Sequence, residues 1–177
     1  MSNIEVVEGF FSNGELDIIE NALKDAEDNY TSIQSGKDTS GSVLFTEGVD
    51  GGETDLSRYT IHPSIDQEVY EILEKRIKEE FSVKEFTAYF HYLYPGSHMG
   101  WHAEVEGIKS AISIYLTRDW DWNYGGYICY QEAEEDLRLH IPDFNKAILQ
   151  KSGTLHCVTP VYKDCPVRKS IQVFVHE

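Results

Sequence analysis

Apolar residues recur at helical spacing near the start of the chain. Leu16, Ile19, Leu23 and Ala26 fall on one face, which predicts an amphipathic helix. Ser12 and Glu15 stand three apart just ahead of them, the spacing of a capping box in which each side chain satisfies a free amide at the helix start. A second stripe, Ile65, Val69, Ile72, Leu73 and Ile77, predicts another helix that begins near Ser64 with Gln67 in the same capping role. Glu71 and Lys75, four apart, decorate its outer face. Both helices are expected to pack on a sheet. The stretch between them, residues 34–55, is rich in Gly, Ser, Thr and Asp. It reads as a long loop with at most a short strand at residues 43–45, and such loops often serve as lids or binding loops.

From Lys84 the period changes to two. Phe86, Ala88, Phe90, Tyr92 and Tyr94 alternate with other residues, and Ala111, Ser113 and Tyr115 alternate with Ile112, Ile114 and Leu116. Ile128, Val158, Ile171, Val173 and Val175 sit in further β-rich stretches. Pro95-Gly96, Asn123-Tyr124-Gly125-Gly126, Pro142-Asp143 and Gly153 punctuate them. Several short strands with regular turns and no intervening helix predict a sandwich or barrel. The reading is therefore mainly β with N-terminal helices. One domain spans residues 1–177, with 1–83 as helical support and long loop and 84–177 as the β core.

Charge narrows the function classes. Fifteen Lys+Arg against 31 Asp+Glu leave a net charge of −16 over 177 residues. That balance argues against nucleic acid as a partner, since phosphate contacts need clustered cations, and against a polybasic membrane contact. A small anionic ligand held by one buried Arg stays compatible with it. The first residues lack the basic-then-apolar pattern of a signal peptide, and no apolar run is long enough to span a bilayer. Three cysteines, Cys129, Cys157 and Cys165, without a CxxC indicate neither a disulfide framework nor a thiolate zinc site. The expected setting is the cytoplasm.

Of the seven histidines, His102 has the most informative company. Glu104 follows two residues later, and on an extended strand both side chains point to one face, so an imidazole and a carboxylate can converge on a cation. His156, in the apolar-flanked segment TLHCVTP, is the candidate third ligand. Two His and one carboxylate form the facial triad of non-haem Fe(II) oxygenases, which leaves positions open for cosubstrate and dioxygen. Glu106 shares the ideal-strand face of Glu104 and is the substitute carboxylate. Arg168 opens the alternating segment RKSIQVFV. Its guanidinium can bind a carboxylate through two parallel hydrogen bonds, so beside a metal it would anchor the far end of a chelating dicarboxylate. Neighbouring Lys169 is the alternative anchor.

The segments LYPGSHMGWHAE, AISIYLTRDWDWNYGGYICY, IPDFNKAILQKSGTLHCVTPV and VRKSIQVFV together resemble the 2-oxoglutarate/Fe(II) dioxygenases, and within them the prolyl hydroxylases of the oxygen-sensing type. The likeness runs from about Phe86 to Val175, with IEVVEGFFSNGELDII similar to the family's first strand and helix. It implies a double-stranded β-helix (jelly roll). It implies Fe(II) held by His102, Glu104 and His156, the catalytic set, and 2-oxoglutarate as cosubstrate, with ascorbate as an optional addition. By position, Arg168 would pair with the far carboxylate of 2-oxoglutarate. Tyr94 and Tyr115 would be pocket tyrosines, and Ile128, Val158 and Phe174 would line the walls. The implied reaction hydroxylates a substrate C–H, a prolyl residue of a peptide or protein, with release of succinate and CO2; a small-molecule substrate is also compatible. Most of the family carries Asp where this chain has Glu104, and some members use HxE. Two other classes keep parts of the pattern: a cupin-like metal enzyme of another reaction type, and a jelly-roll binding module without turnover. Residues 34–55 and the acidic segment 132–138 (Glu132, Glu134, Glu135, Asp136) are the loops that could select substrate, the latter favouring a basic peptide.

Overall fold

The computed structural model describes residues 3–34, 60–61, 64–104, 106–133 and 136–176. The stretch 35–55, with its expected strand at 43–45, lies outside them, as do His62, Glu134 and Glu135. In chain order the elements are β1 (Ile4–Glu8), α1 (Asn13–Gln34), β2 (Thr60–Ile61), α2 (Gln67–Phe81), β3 (Phe86–Leu93), β4 (Met99–His102), β5 (Ser110–Tyr115), a 3-10 turn (Trp122–Tyr124), β6 (Ile128–Ala133), β7 (Asp136–His140), β8 (Lys146–Lys151), β9 (His156–Val158) and β10 (Arg168–Val175). The fold is mainly β, as expected. Two sheets, in the orders β1-β8-β5-β10-β3-β2 and β4-β9-β6-β7, pair their strands antiparallel and form a jelly roll. The larger sheet is not confined to the second half of the chain, because β1 pairs with β8 and β2 with β3.

The capping box forms as the sequence predicts. The Ser12 amide and hydroxyl both donate to Glu15 Oε2 at 2.8 Å. Arg76 on α2 donates to the same oxygen at 2.6 and 2.9 Å, so one carboxylate both starts α1 and ties it to α2. Burial pushes the Glu15 carboxyl up, but the Arg76 and Ser12 hydrogen bonds outweigh it and hold the carboxyl down at about 2. The second helix starts later than its stripe suggested. Asp66, not Ser64, is the N-cap and accepts from the Val69 amide at 2.8 Å. Ser64 instead makes a β-bridge to Tyr89, and Gln67 donates to Glu71 on the outer face at 2.9 Å.

Val69, Leu73 and Ile77 are wholly buried, each contributing about 1.5–3 kcal/mol relative to exposure. With Leu16, Ile19 and Leu23 they pack on Phe90, Tyr92, Ile112, Ile114, Ile171 and Val173 of the larger sheet. Alternation sends the other face of β3, β5, β8 and β10 toward the smaller sheet. The sheet is thus buried on both sides, with apolar residues under the helices and a mixed set facing inward. No helix among the described residues is long and apolar enough to cross a membrane.

Candidate active site

The inward residues of both sheets enclose one cavity of about 90 Å³. The smaller sheet supplies a cluster of His102, Glu104 and His156, whose ligand atoms all lie within 4.8 Å of one another. The register explains the first pair: His102 stands opposite His156 across β4 and β9, and the ring centroids are 4.2 Å apart. His102 Nδ1 lies 2.7 Å from the Gly100 carbonyl and His156 Nδ1 2.8 Å from the Thr154 carbonyl. A carbonyl only accepts, so Nδ1 carries a proton in each ring, and in the neutral ring Nε2 keeps its lone pair for a metal. Glu104 follows the end of β4 and brings Oε1 to 3.6 Å from His156 Nε2. Burial pushes the Glu104 carboxyl up, against the pull of His102. It pushes the His156 imidazole down, which favours the neutral ligand form despite the Thr154 hydrogen bond. Glu106 is exposed and lies outside the cluster.

The larger sheet supplies Arg168. Its residue is only 2% exposed, and the first residue of β10 faces inward. Nη1 donates to the Gly126 carbonyl at 2.6 Å, and Cζ lies 5.4 Å from the Tyr115 ring centre. The buried Nε has no hydrogen-bond partner among the described residues, and no carboxylate there pairs with the guanidinium. Burial accordingly pulls its pKa down, and only Tyr115 opposes this. The buried Tyr115 hydroxyl likewise makes no hydrogen bond of normal geometry among the described residues. A buried cation without a counter-ion is costly, and an incoming carboxylate would satisfy both groups. Lys169, on the opposite face of β10, borders a surface groove with Glu20 and Arg118 instead.

Ile128, Val158 and Phe174 line the cavity. Tyr94 does not. It lies just past the end of β3 and packs with the helix-facing core, in phase with the even-numbered side chains of β3, which turn to the helices while the odd-numbered ones turn inward. The β3 residues in the cavity are therefore Tyr89 and His91. Sequence reasoning also missed Ser113, Gln150 and Gln172, which line the same space. Ser113 Oγ donates to Gln172 Oε1 at 2.8 Å, and Gln150 Oε1 is buried without a partner among the described residues. Their signal was parity: Ser113 shares the phase of Tyr115, and Gln172 that of Arg168. In the described part of the acidic segment 132–138, on the paired strands β6 and β7, Arg138 pairs with Glu132 at 3.1 Å and Asp136 at 2.9 Å, so the described acids there are partly neutralised.

The donor set fits the groups the sequence implied. Two imidazoles and a carboxylate suit Fe(II), and the unsatisfied Arg168 and Tyr115 suit a carboxylate in the same cavity. A family model for the 2OG-Fe(II) oxygenase superfamily matches residues 86–176. No curated protein matches the chain by sequence. Among solved structures, a prolyl-4-hydroxylase from Pseudomonas putida is similar at 16% identity and TM-score 0.69, covering 100% of this chain and 94% of that one. A prolyl hydroxylase from Trichoplax adhaerens, solved with a hypoxia inducible factor peptide fragment, is similar at 16% identity and TM-score 0.70, covering 99% and 84%. A Burkholderia pseudomallei oxidoreductase of the 2OG-Fe(II) oxygenase family gives 15% identity and TM-score 0.63, covering 99% and 85%. At these identities the solved structures speak to the fold.

Proposed function

The chain belongs to the 2OG-Fe(II) oxygenase superfamily, and from that premise we propose that it hydroxylates a C–H bond of a prolyl residue in a peptide or protein. Fe(II) and 2-oxoglutarate are the cofactor and cosubstrate that membership brings. In this reading His102, Glu104 and His156 hold the iron, and Arg168 with Tyr115 holds the far carboxylate of 2-oxoglutarate. One observation carries the reading: a buried guanidinium with no carboxylate partner among the described residues shares its cavity with a His-Glu-His cluster.

Bound iron and cosubstrate supply dioxygen activation, with one oxygen atom passing to succinate as 2-oxoglutarate loses CO2 and the other to the substrate. The protein's own residues hold and enclose. The carbonyls of Gly100 and Thr154 fix the Nδ1–H tautomers and aim both Nε2 atoms at one point. The Arg168 fork orients the cosubstrate along the cavity. Ile128, Val158 and Phe174 keep the interior dry, which strengthens the ionic contacts and limits side reactions. The prolyl and peptide part of the proposal draws on the fold likeness to two prolyl hydroxylases, one of them bound to a peptide.

The test is an anaerobic titration of metal-free protein with Fe(II) and 2-oxoglutarate, followed by turnover on proline-containing peptides. A visible charge-transfer band that needs both components supports the cosubstrate site. Gain of one oxygen on a prolyl residue supports the substrate. Iron binding without the band would overturn the dicarboxylate anchor in favour of another metal chemistry, and no iron binding would favour a module without turnover.

A further inference from the structure

Cys129 and Cys157 stand directly opposite one another across β6 and β9. Their neighbours in the register, Ile128 with Val158 and Tyr130 with His156, are buried and turn inward. By alternation the two cysteines share the outer face of the smaller sheet. Main-chain hydrogen bonds run from the Thr159 amide to the Tyr127 carbonyl and from the Gln131 amide to the Leu155 carbonyl, both at 2.9 Å. They bracket the cysteine pair two residues away on each side. The pair therefore occupies a hydrogen-bonded position of the ladder, where opposed Cα atoms lie about 5.5 Å apart. That is within the roughly 4.4–6.8 Å a disulfide spans. Both thiols are partly accessible. Cys165 is engaged elsewhere, donating to the Tyr162 carbonyl at 2.6 Å.

We propose that Cys129 and Cys157 are an oxidisable dithiol that closes to an intrachain disulfide, pinning β9 to β6 beside His156. Two S–H bonds break and one S–S bond forms. The two protons and two electrons pass to the oxidant, a peroxide that leaves as two waters or an azo compound that leaves as the hydrazine. At a hydrogen-bonded position the Cβ atoms sit farther apart than a relaxed disulfide prefers, so the bond should be readily reduced again. The modification is thus reversible. It acts on the strand that carries one candidate ligand, through the face opposite to the cavity.

The reduced full chain would be treated with an azodicarboxamide oxidant, then alkylated and weighed intact. Both thiols are only partly accessible, so the exposure should last hours. The reduced chain should take an alkyl group on each of its three cysteines, and the oxidised chain on Cys165 alone. Cys129→Ser and Cys157→Ser should each keep both remaining thiols open, and Cys165→Ser should still close. Alkylation of Cys129 or Cys157 after oxidation, or a bond mapped to Cys165, overturns the proposal. A second arm rests on the iron assignment above. Closure should weaken Fe(II) binding about tenfold, the lower end for disturbing the groups around a metal ligand, and a thiol reductant should restore it. Equal affinity in both forms would overturn that coupling. Failure of the reduced protein to take iron would sink the iron assignment, a result the thiol map does not depend on.

Discussion

His102 and His156 face one another across β4 and β9, and each points Nδ1 at the carbonyl two residues before it, Gly100 at 2.7 Å and Thr154 at 2.8 Å. The same local device sets both tautomers, so both Nε2 atoms are pre-formed as ligands. His102→Ala and His156→Ala should each weaken Fe(II) binding by more than the roughly 10–100-fold that follows loss of a merely orienting group. Both variants should keep the wild-type far-UV circular dichroism spectrum. Tight iron binding in either variant would show that the cluster is not the metal site.

Arg168→Ala should spare Fe(II) affinity and raise the dissociation constant for 2-oxoglutarate roughly 10–100-fold, the worth of a charge-assisted contact of about 1.5–3 kcal/mol. Calorimetric titration of the iron-loaded, oxygen-free protein measures both. Because no described carboxylate partners the guanidinium, the variant should melt close to wild type in the absence of cosubstrate. A large loss of stability with unchanged 2-oxoglutarate affinity would make Arg168 a structural residue.

Much of this site was legible because strands write their faces in alternation. Ile112 and Ile114 go to the helices while Ser113 and Tyr115 go to the cavity, and Arg168 and Phe174 share one parity. His102 and Glu104 were paired by the same two-residue spacing, although Glu104 lies beyond the end of β4, and His156 was marked by its apolar-flanked segment. Tyr94 as a pocket residue comes from the resemblance, not from strand phase; it packs with the helix-facing core, while Tyr89 and His91 line the cavity. In a sheet covered on both sides hydrophobicity does not say which side holds the pocket. The start of α2 was ambiguous for a different reason: Ser64 and Asp66 can both cap, and the bridge from Ser64 to Tyr89 decides between them. A two-residue strand such as β2 carries no periodic signal at all.

The Gly125-Gly126 step joins the fold to the Arg168 end of the cavity. Gly125 has φ +71°, and a Cβ there would sit 2.1 Å from the Pro160 carbonyl oxygen. Gly126 accepts from Arg168. Gly125→Ala should destabilise by more than the roughly 1–3 kcal/mol of backbone strain alone, because the clash is with main chain and cannot relax cheaply. Gly153→Ala, also at positive φ but with nothing within 4 Å of its Cβ, is the control and should cost the strain only. Urea melts that rank the two variants equally would contradict the close approach.

Glu15 links acid sensitivity to the helix pair. Its carboxyl is held at about 2, against an ordinary 4.5, by Arg76 and Ser12 working against burial. A depressed carboxyl stabilises the fold above its unfolded pKa and stops doing so as the pH falls through its folded one. The contribution, up to about 3 kcal/mol by linkage, should therefore be whole at pH 6 and fade between about 4.5 and 2. Glu15→Gln should be less stable than wild type at pH 6, with the gap closing across that window in urea titrations. A gap that does not change with pH would mean the carboxylate charge contributes nothing.

Glu104 is the carboxylate of the cluster, and its position gives the length of its side chain a reason. β4 ends at His102, so Glu104 reaches back to the His pair from beyond the strand, arriving 3.6 Å from His156 Nε2. Shortening it to Asp withdraws the carboxylate by about one carbon–carbon bond, ~1.5 Å. If the backbone is set for Glu, Glu104→Asp should bind Fe(II) less tightly than wild type, and Glu104→Gln should bind it poorly while leaving the metal-free fold more stable, since a buried carboxylate has been removed. Glu106→Ala, altering an exposed acid outside the cluster, should change neither. Tighter iron binding in Glu104→Asp would mean that the surrounding backbone suits the shorter ligand, and that the site is not built around the length of Glu104.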